Sequence, residues 1–432
     1  MDQDSSDEER TASAHHHPEK EAEVDRQKQD AICAACHDAD VSALQRLAES
    51  EGGFLTDSLR QLAWPVLLGL PAPRIDAAQD EPLPESEHLV DGGSDSWKEL
   101  PRHRDEDQVQ LDVNRSFVYY PHGNIPAATK PTARPLCFAG LLTVLRADLS
   151  DCDLECRRSQ LSALISHVLR VHPYLCYFQG YHDICQVLLL VLGPARAAPC
   201  VARLSVLRIR DFMLPNLGPT TAQLRLLPDV LAAADPALRA HVATVEPFYA
   251  LAGTLTMYAH NIEAYRDIAR LFDALLAREP VFSLYVFAQI VIDRRDEILA
   301  IDEPDLLQVV LARVPSAGMD IDRLVARAAE LFRRYPPETL PAWRRISRAS
   351  ALKTARDATH AAKQTLAEGA DLFDKQAKEL RWLDLRNSAL SVAWAYRRPA
   401  KALGMAMAVG LVAFYMRRNP ALLTTVMSLF SK

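Results

Sequence analysis

From about residue 141 to residue 332 the apolar residues recur at helical intervals, interrupted only at Pro and Gly. No stretch there alternates like a strand or carries a two-residue hairpin signal. That pattern predicts a nearly all-α fold. Residues 28–70 extend it: Ile32, Ala35, Leu44, Leu47, Leu55, Leu59 and Leu62 are spaced for helices, and "GLPAP" ends them. With 49% hydrophobic and 24% charged residues in 432, the chain can bury a sizeable core and has the length of two or three domain-sized units.

The remaining segments read as attachments. Residues 1–28 are rich in Asp, Glu, Ser and Lys with almost no large apolar side chains; such a tail cannot offset its own ordering entropy and is expected to be disordered. An acidic, Pro- and Gly-rich linker is expected over residues 72–95, and a polar helical linker over residues 341–398. Apolar runs at residues 248–258 and 281–292 are too short to cross a bilayer and read as buried core helices. The C-terminus differs. Residues 402–416, "ALGMAMAVGLVAFYM", carry no charge and are flanked by Arg397, Arg398 and Lys401 before and by Arg417 and Arg418 after. As a helix they extend roughly 22 Å, against about 27 Å for a thin bilayer, so the flanking basic side chains have to snorkel. A second apolar run follows at residues 421–430. The expectation is a membrane anchor over residues 399–432, reaching a lipid bilayer through residues 402–416 as a single span, a hairpin or an interfacial helix. The acidic, polar N-terminus is no secretion signal, which predicts a cytosolic main domain.

A net charge of −7 and the absence of any long basic stretch give no nucleic-acid signal. The eight cysteines (Cys33, Cys36, Cys137, Cys152, Cys156, Cys176, Cys185 and Cys200) are irregularly spaced and are expected as reduced thiols. "CAACH" at residues 33–37 has the spacing of a haem attachment site but lies in a helix-like stretch, and "HHH" at residues 15–17 has no further ligand nearby; no metal site is expected. Phosphate-loop, zinc-helix and nucleophile-elbow motifs are all missing, so no self-sufficient catalytic motif is present. Two polar sequences remain in helical surroundings, "VQLDVNR" at residues 109–115 and "YFQG" at residues 177–180. On a helix Asp112 and Arg115 are i, i+3 neighbours, so the carboxylate can hold the guanidinium in one orientation. Gln179 is either a helix cap or a displayed amide, and Asp183 either bonds Gln179 or sits in the first turn of the following helix. An Arg and a Gln are the two side chains that GTP hydrolysis employs, one against charge developing on phosphoryl oxygens, the other to orient the attacking water. The pair fits a chain that lacks a phosphate loop and lends these groups to a protein that has one.

The sequence resembles the TBC-domain Rab GTPase-activating proteins. I-x-x-D-x-x-R appears as "VQLDVNR" with Val109 in the Ile position, Y-x-Q-G as "YFQG" followed by "YHD", and R-x-x-x-W-P-x-L-L-G as "RQLAWPVLLG" at residues 60–69, all in family order. "LRIRDFMLPNL", "LFDALLAREP" and "LFRRYPPE" are similar to the branch held in the endoplasmic reticulum by a C-terminal segment. The resemblance implies an all-α, two-lobed TBC domain over residues 29–340. It implies that Arg115 is an arginine finger and Gln179 a glutamine finger acting on a Rab GTPase of early secretory traffic. Asp112 would orient Arg115, Tyr177 and Gly180 would shape the turn of Gln179, and Arg60, Trp64 and Pro65 would be structural. GTP and Mg would be bound by the Rab, with no cofactor of the chain's own, and the domain would face the cytosol from the endoplasmic reticulum membrane. A non-catalytic, tail-anchored Rab-binding adaptor or scaffold is the alternative.

Overall fold

The computed structural model describes residues 17–73, 96–118, 120, 151–315, 318–356 and 358–418. They fall into one unit up to Gln376 and a second from Ala377. Helices carry the described chain, with no strand among them.

The elements that build and position the site are α1 (His17–His37), α2 (Val41–Glu49), α3 (Asp57–Leu67), α4 (Glu106–Val113), α5 (Asp151–Val171), α6 (Tyr181–Leu192), α7 (Tyr265–Ala277), α8 (Phe282–Asp293), α9 (Ile321–Arg334) and α10 (Leu366–Arg418). α6 and α8 are apolar nearly all round and buried on every face, as helices at the centre of a helical domain must be. α9 is amphipathic: Leu324, Val325 and Ala328 face inward, and the Asp320 side chain caps it by accepting from Arg323 N at 2.9 Å. Phe332 on α9 packs edge-on against Tyr285 of α8, ring centroids 4.9 Å apart. α3 carries Pro65 inside it and ends before Gly69, whose φ of 81° is open to glycine at little cost.

Three expectations meet a different structure. Residues 17–28, assigned to a disordered tail, begin α1, and Lys28 reaches across to the Glu51 carbonyl oxygen at 2.5 Å; residues 1–16 lie outside the described residues. Residues 248–258 are no continuous helix. A 3-10 turn (Pro247–Ala250) runs into a short helix (Leu251–Leu255), and Met257 and Tyr258 then take positive φ of 49° and 67°. The domain also continues past residue 340. Trp343 is buried, Phe373 packs on Tyr174 with centroids 4.9 Å apart, and the buried Asp211 accepts from Ala351 N (2.9 Å), Gln223 Nε2 (2.7 Å), Gln376 Nε2 (3.0 Å) and the Ser350 hydroxyl. A buried carboxylate costs several kcal/mol unless donors surround it, and three of these four donors come from beyond residue 340. The membrane anchor is a separate matter: no described helix is long and apolar enough to cross a membrane. Residues 402–416 are part of α10, with Leu403, Met405, Val409, Leu411 and Phe414 exposed. Residues 74–95 of the linker, Cys137 and the run at 421–430 lie outside the described residues.

Candidate functional site

α4 is fixed before it offers anything. Glu106 in its first turn accepts from His103 N at 2.8 Å and is gripped by both Arg170 Nε (2.7 Å) and Nη2 (2.9 Å) of α5. Bonding to Arg170, more than any other contact, holds the Glu106 carboxyl down at about 2. On the inner face Asp112 is fully buried. Its Oδ1 accepts from Arg115 Nη2 at 2.5 Å and Gln108 Nε2 at 3.2 Å, and its Oδ2 from the Tyr177 hydroxyl at 2.9 Å. The Arg115 side chain itself is 67% exposed. A buried anion thus aims an exposed cation.

The chain leaves α4 by a strained turn. Phe117 has a φ of 63°, unfavourable for a bulky residue, and its N–H is bonded to the buried Gln186 Oε1 of α6 at 3.1 Å. Beyond the exposed Val118, Tyr120 is buried again and donates its hydroxyl to Ala259 O at 2.7 Å. The backbone therefore turns inward immediately after Arg115, leaving that side chain outside.

The second segment is built from the opposite direction. Tyr177 N donates to Asp105 Oδ2 at 2.9 Å, Phe178 is buried against Tyr181 and Phe212, and Tyr181 N closes the turn on Phe178 O at 3.1 Å. Gly180 has a φ of 101°, and a Cβ there would lie 2.6 Å from Thr256 Cγ2. Only glycine fits both demands. With Phe178 pointing inward, Gln179 is exposed. It does not cap α6, whose N-cap is Gly180 with no side-chain bond.

Asp183 does not pair with Gln179. Its Oδ2 accepts from His260 Nδ1 at 3.1 Å, and His182 Nε2 lies 3.2 Å from its Oδ1. Hydrogen bonding to Asp183 raises the His260 pKa, whereas burial lowers that of His182 and keeps the Tyr177 phenol far above its ordinary range. Tyr177 is thus a fixed donor at neutral pH.

The Tyr177–Asp112 bond sets the Arg115 and Gln179 segments side by side. Arg60, Trp64 and Pro65 lie elsewhere, all buried: Arg60 Nε and Trp64 Nε1 donate to Asp273 Oδ1 at 3.0 and 2.8 Å, and Arg60 Nη1 to Asp57 Oδ1 at 2.8 Å. Sequence reading missed Asp105, His182, Gln186, Thr256 and His260. His182 stood in "YHD", whereas Thr256 and His260 come from a distant loop with no motif around them.

The family match and the sequence relatives agree on one family. Residues 146–299 match the Rab-GTPase-TBC domain. The GTPase-activating protein gyp10 of Schizosaccharomyces pombe is 31% identical over 363 residues, 82% of this chain and 85% of the yeast protein. Human TBC1 domain family member 20 is 32% identical over 306 residues, 70% of this chain; the match spans 65% of that relative's own length. Among solved structures, the flagellar RabGAP TBC domain of Chlamydomonas superimposes with a TM-score of 0.49 at 14% identity, over 72% of this chain and 92% of that one.

Proposed function

This chain belongs to the Rab-GTPase-TBC domain family, and from that premise we propose that it activates a Rab GTPase by supplying two groups in trans, the Arg115 guanidinium and the Gln179 amide. One observation supports the reading most directly. Arg115 is exposed but oriented by the fully buried Asp112, and Asp112 is joined through Tyr177 to the turn that displays Gln179. Both exposed side chains sit on held supports, Arg115 on the buried Asp112 and Gln179 between the buried Phe178 and Gly180. The Rab brings GTP and Mg²⁺; the guanidinium takes up charge developing on the phosphoryl oxygens and the amide orients the attacking water.

Single-turnover hydrolysis across a Rab panel tests this. Arg115→Ala is expected to lose about 10³-fold of the stimulated rate, roughly 4 kcal/mol of barrier. Arg115→Lys should rescue poorly because an ammonium lacks the planar fork. A Rab whose own switch Gln is changed to Ala should still be stimulated by the wild-type chain and not by Gln179→Ala. A fully active Arg115→Ala chain sinks the catalytic reading, and failure on the Gln-less Rab together with a normal Gln179→Ala chain removes the second finger.

For the setting we propose an early secretory Rab at the endoplasmic reticulum membrane, the helical domain facing the cytosol and residues 402–416 engaging the bilayer. The exposed apolar side chains along residues 403–415, bracketed by Lys401, Arg417 and Arg418, support lipid contact. Deleting residues 399–432 should shift the protein from the membrane pellet to the soluble fraction with little change in activity on soluble Rab. Continued sedimentation of the shortened chain after a high-salt wash would refute the anchor.

A further inference from the structure

Tyr177 touches two acceptor-capable groups, Asp112 Oδ2 at 2.9 Å and His182 Nδ1 at 3.1 Å. It owns one hydrogen. The Asp112 carboxylate can only accept, so the phenol donates there and its oxygen is left to accept from His182. That assigns the His182 hydrogen to Nδ1. Burial keeps this imidazole below its ordinary pKa against the opposing pull of Asp183 and Asp112, so at neutral pH it carries one hydrogen and the phenol decides which nitrogen holds it.

On its other side the ring meets Asp183, whose second oxygen takes His260 Nδ1. His260 closes the loop of Met257 and Tyr258, both at positive φ, and the same loop places Thr256 Cγ2 where a Cβ on Gly180 would go. One imidazole therefore touches the support of Arg115 through Tyr177 and Asp112. Its Nε2, without a hydrogen, lies 3.2 Å from Asp183 Oδ1 and makes no bond there.

We propose that His182 is a positioning residue for Rab GTPase activation: its Nδ1–H holds the Tyr177 phenol on Asp112 and so keeps the support of Arg115 in place. His182 itself, only 12% exposed at its side chain, acts through these neighbours and not on nucleotide. This inference rests on the activating role proposed above.

The test uses the full chain with three substitutions. His182→Ala removes the donor. His182→Asn places an amide N–H where Nδ1–H stood, and His182→Gln places one nearer the Nε2 side. Expected at saturating Rab is a fall in kcat of about 10- to 100-fold for His182→Ala, with KM changed less than about threefold, recovery to within about fivefold in His182→Asn, and no recovery in His182→Gln. A second measurement needs no Rab: the 15N order parameter of the Arg115 guanidinium should drop in His182→Ala and return in His182→Asn, with melting temperatures alike. A kcat within twofold of wild type in His182→Ala, equal losses in the Asn and Gln variants, or an Arg115 order parameter unmoved by His182→Ala overturns the proposal. If no Rab responds to the wild-type chain, the activating role fails, and the Arg115 order parameter still decides whether His182 holds the arginine.

Discussion

Glu106 shows how much one side chain contributes to the platform beneath Arg115. It accepts from His103 N in the segment leading into α4 and binds Arg170 by two hydrogen bonds, so α4 cannot roll on α5 without breaking a charge-assisted pair. Its folded pKa of about 2 lies below the ordinary 4.5. A depressed acid contributes stability that is present above its unfolded pKa and is lost as pH falls through the folded one. The window therefore runs from about 4.5 down to about 2. Glu106→Gln should lower the melting temperature at pH 7 and converge on wild type as pH falls through that window. A melting difference that is the same at pH 6 and pH 3 would refute the assignment.

At the scale of elements, the turn between Tyr177 and α6 depends on Gly180. Two costs oppose any other residue there, the φ of 101° and the 2.6 Å approach to Thr256 Cγ2, whose hydroxyl is tied to Ala252 O at 2.8 Å and so resists turning away. Gly180→Ala is expected to cost about 1–3 kcal/mol and to reduce stimulated hydrolysis by more than its loss of stability accounts for, because the turn that moves is the one presenting Gln179. Adding Thr256→Ser removes the clashing methyl and keeps the hydroxyl, so the double variant should regain part of the stability. Denaturant melts read this directly; no recovery in the double variant would leave backbone strain as the whole cause.

Over the whole molecule, the buried Asp211 binds the end of the domain to its middle. Ser350, Ala351 and Gln376 all donate to it from beyond residue 340. A chain ending at residue 340 leaves this carboxylate short of donors and uncovers the contact faces of Trp343 and Phe373, whereas one ending at residue 376 keeps them. The longer chain should melt cooperatively close to the full chain. The shorter one should melt at least about 10 °C lower or aggregate, a loss of several kcal/mol; equal melting of the two would return the boundary to residue 340.

The sequence alone determined the helical class, because a period of 3.6 in apolar residues is a local property that no tertiary contact has to supply. It also marked Asp112, Arg115, Gln179 and Gly180, since each lies in a short contiguous motif whose residue types restrict its chemistry, and it fixed the Asp112–Arg115 pair through helical spacing. Only the tertiary structure decided the rest. That Asp183 serves His260 and not Gln179, that Asp105 and Tyr177 lock the two segments together, and that Arg60 and Trp64 share Asp273 all depend on residues brought together from distant parts of the chain. The domain's true end was hidden for the same reason. Residues 341–376 are polar enough to read as a linker, and their order comes from partners such as Asp211 and Tyr174, more than a hundred residues earlier, that local periodicity cannot register.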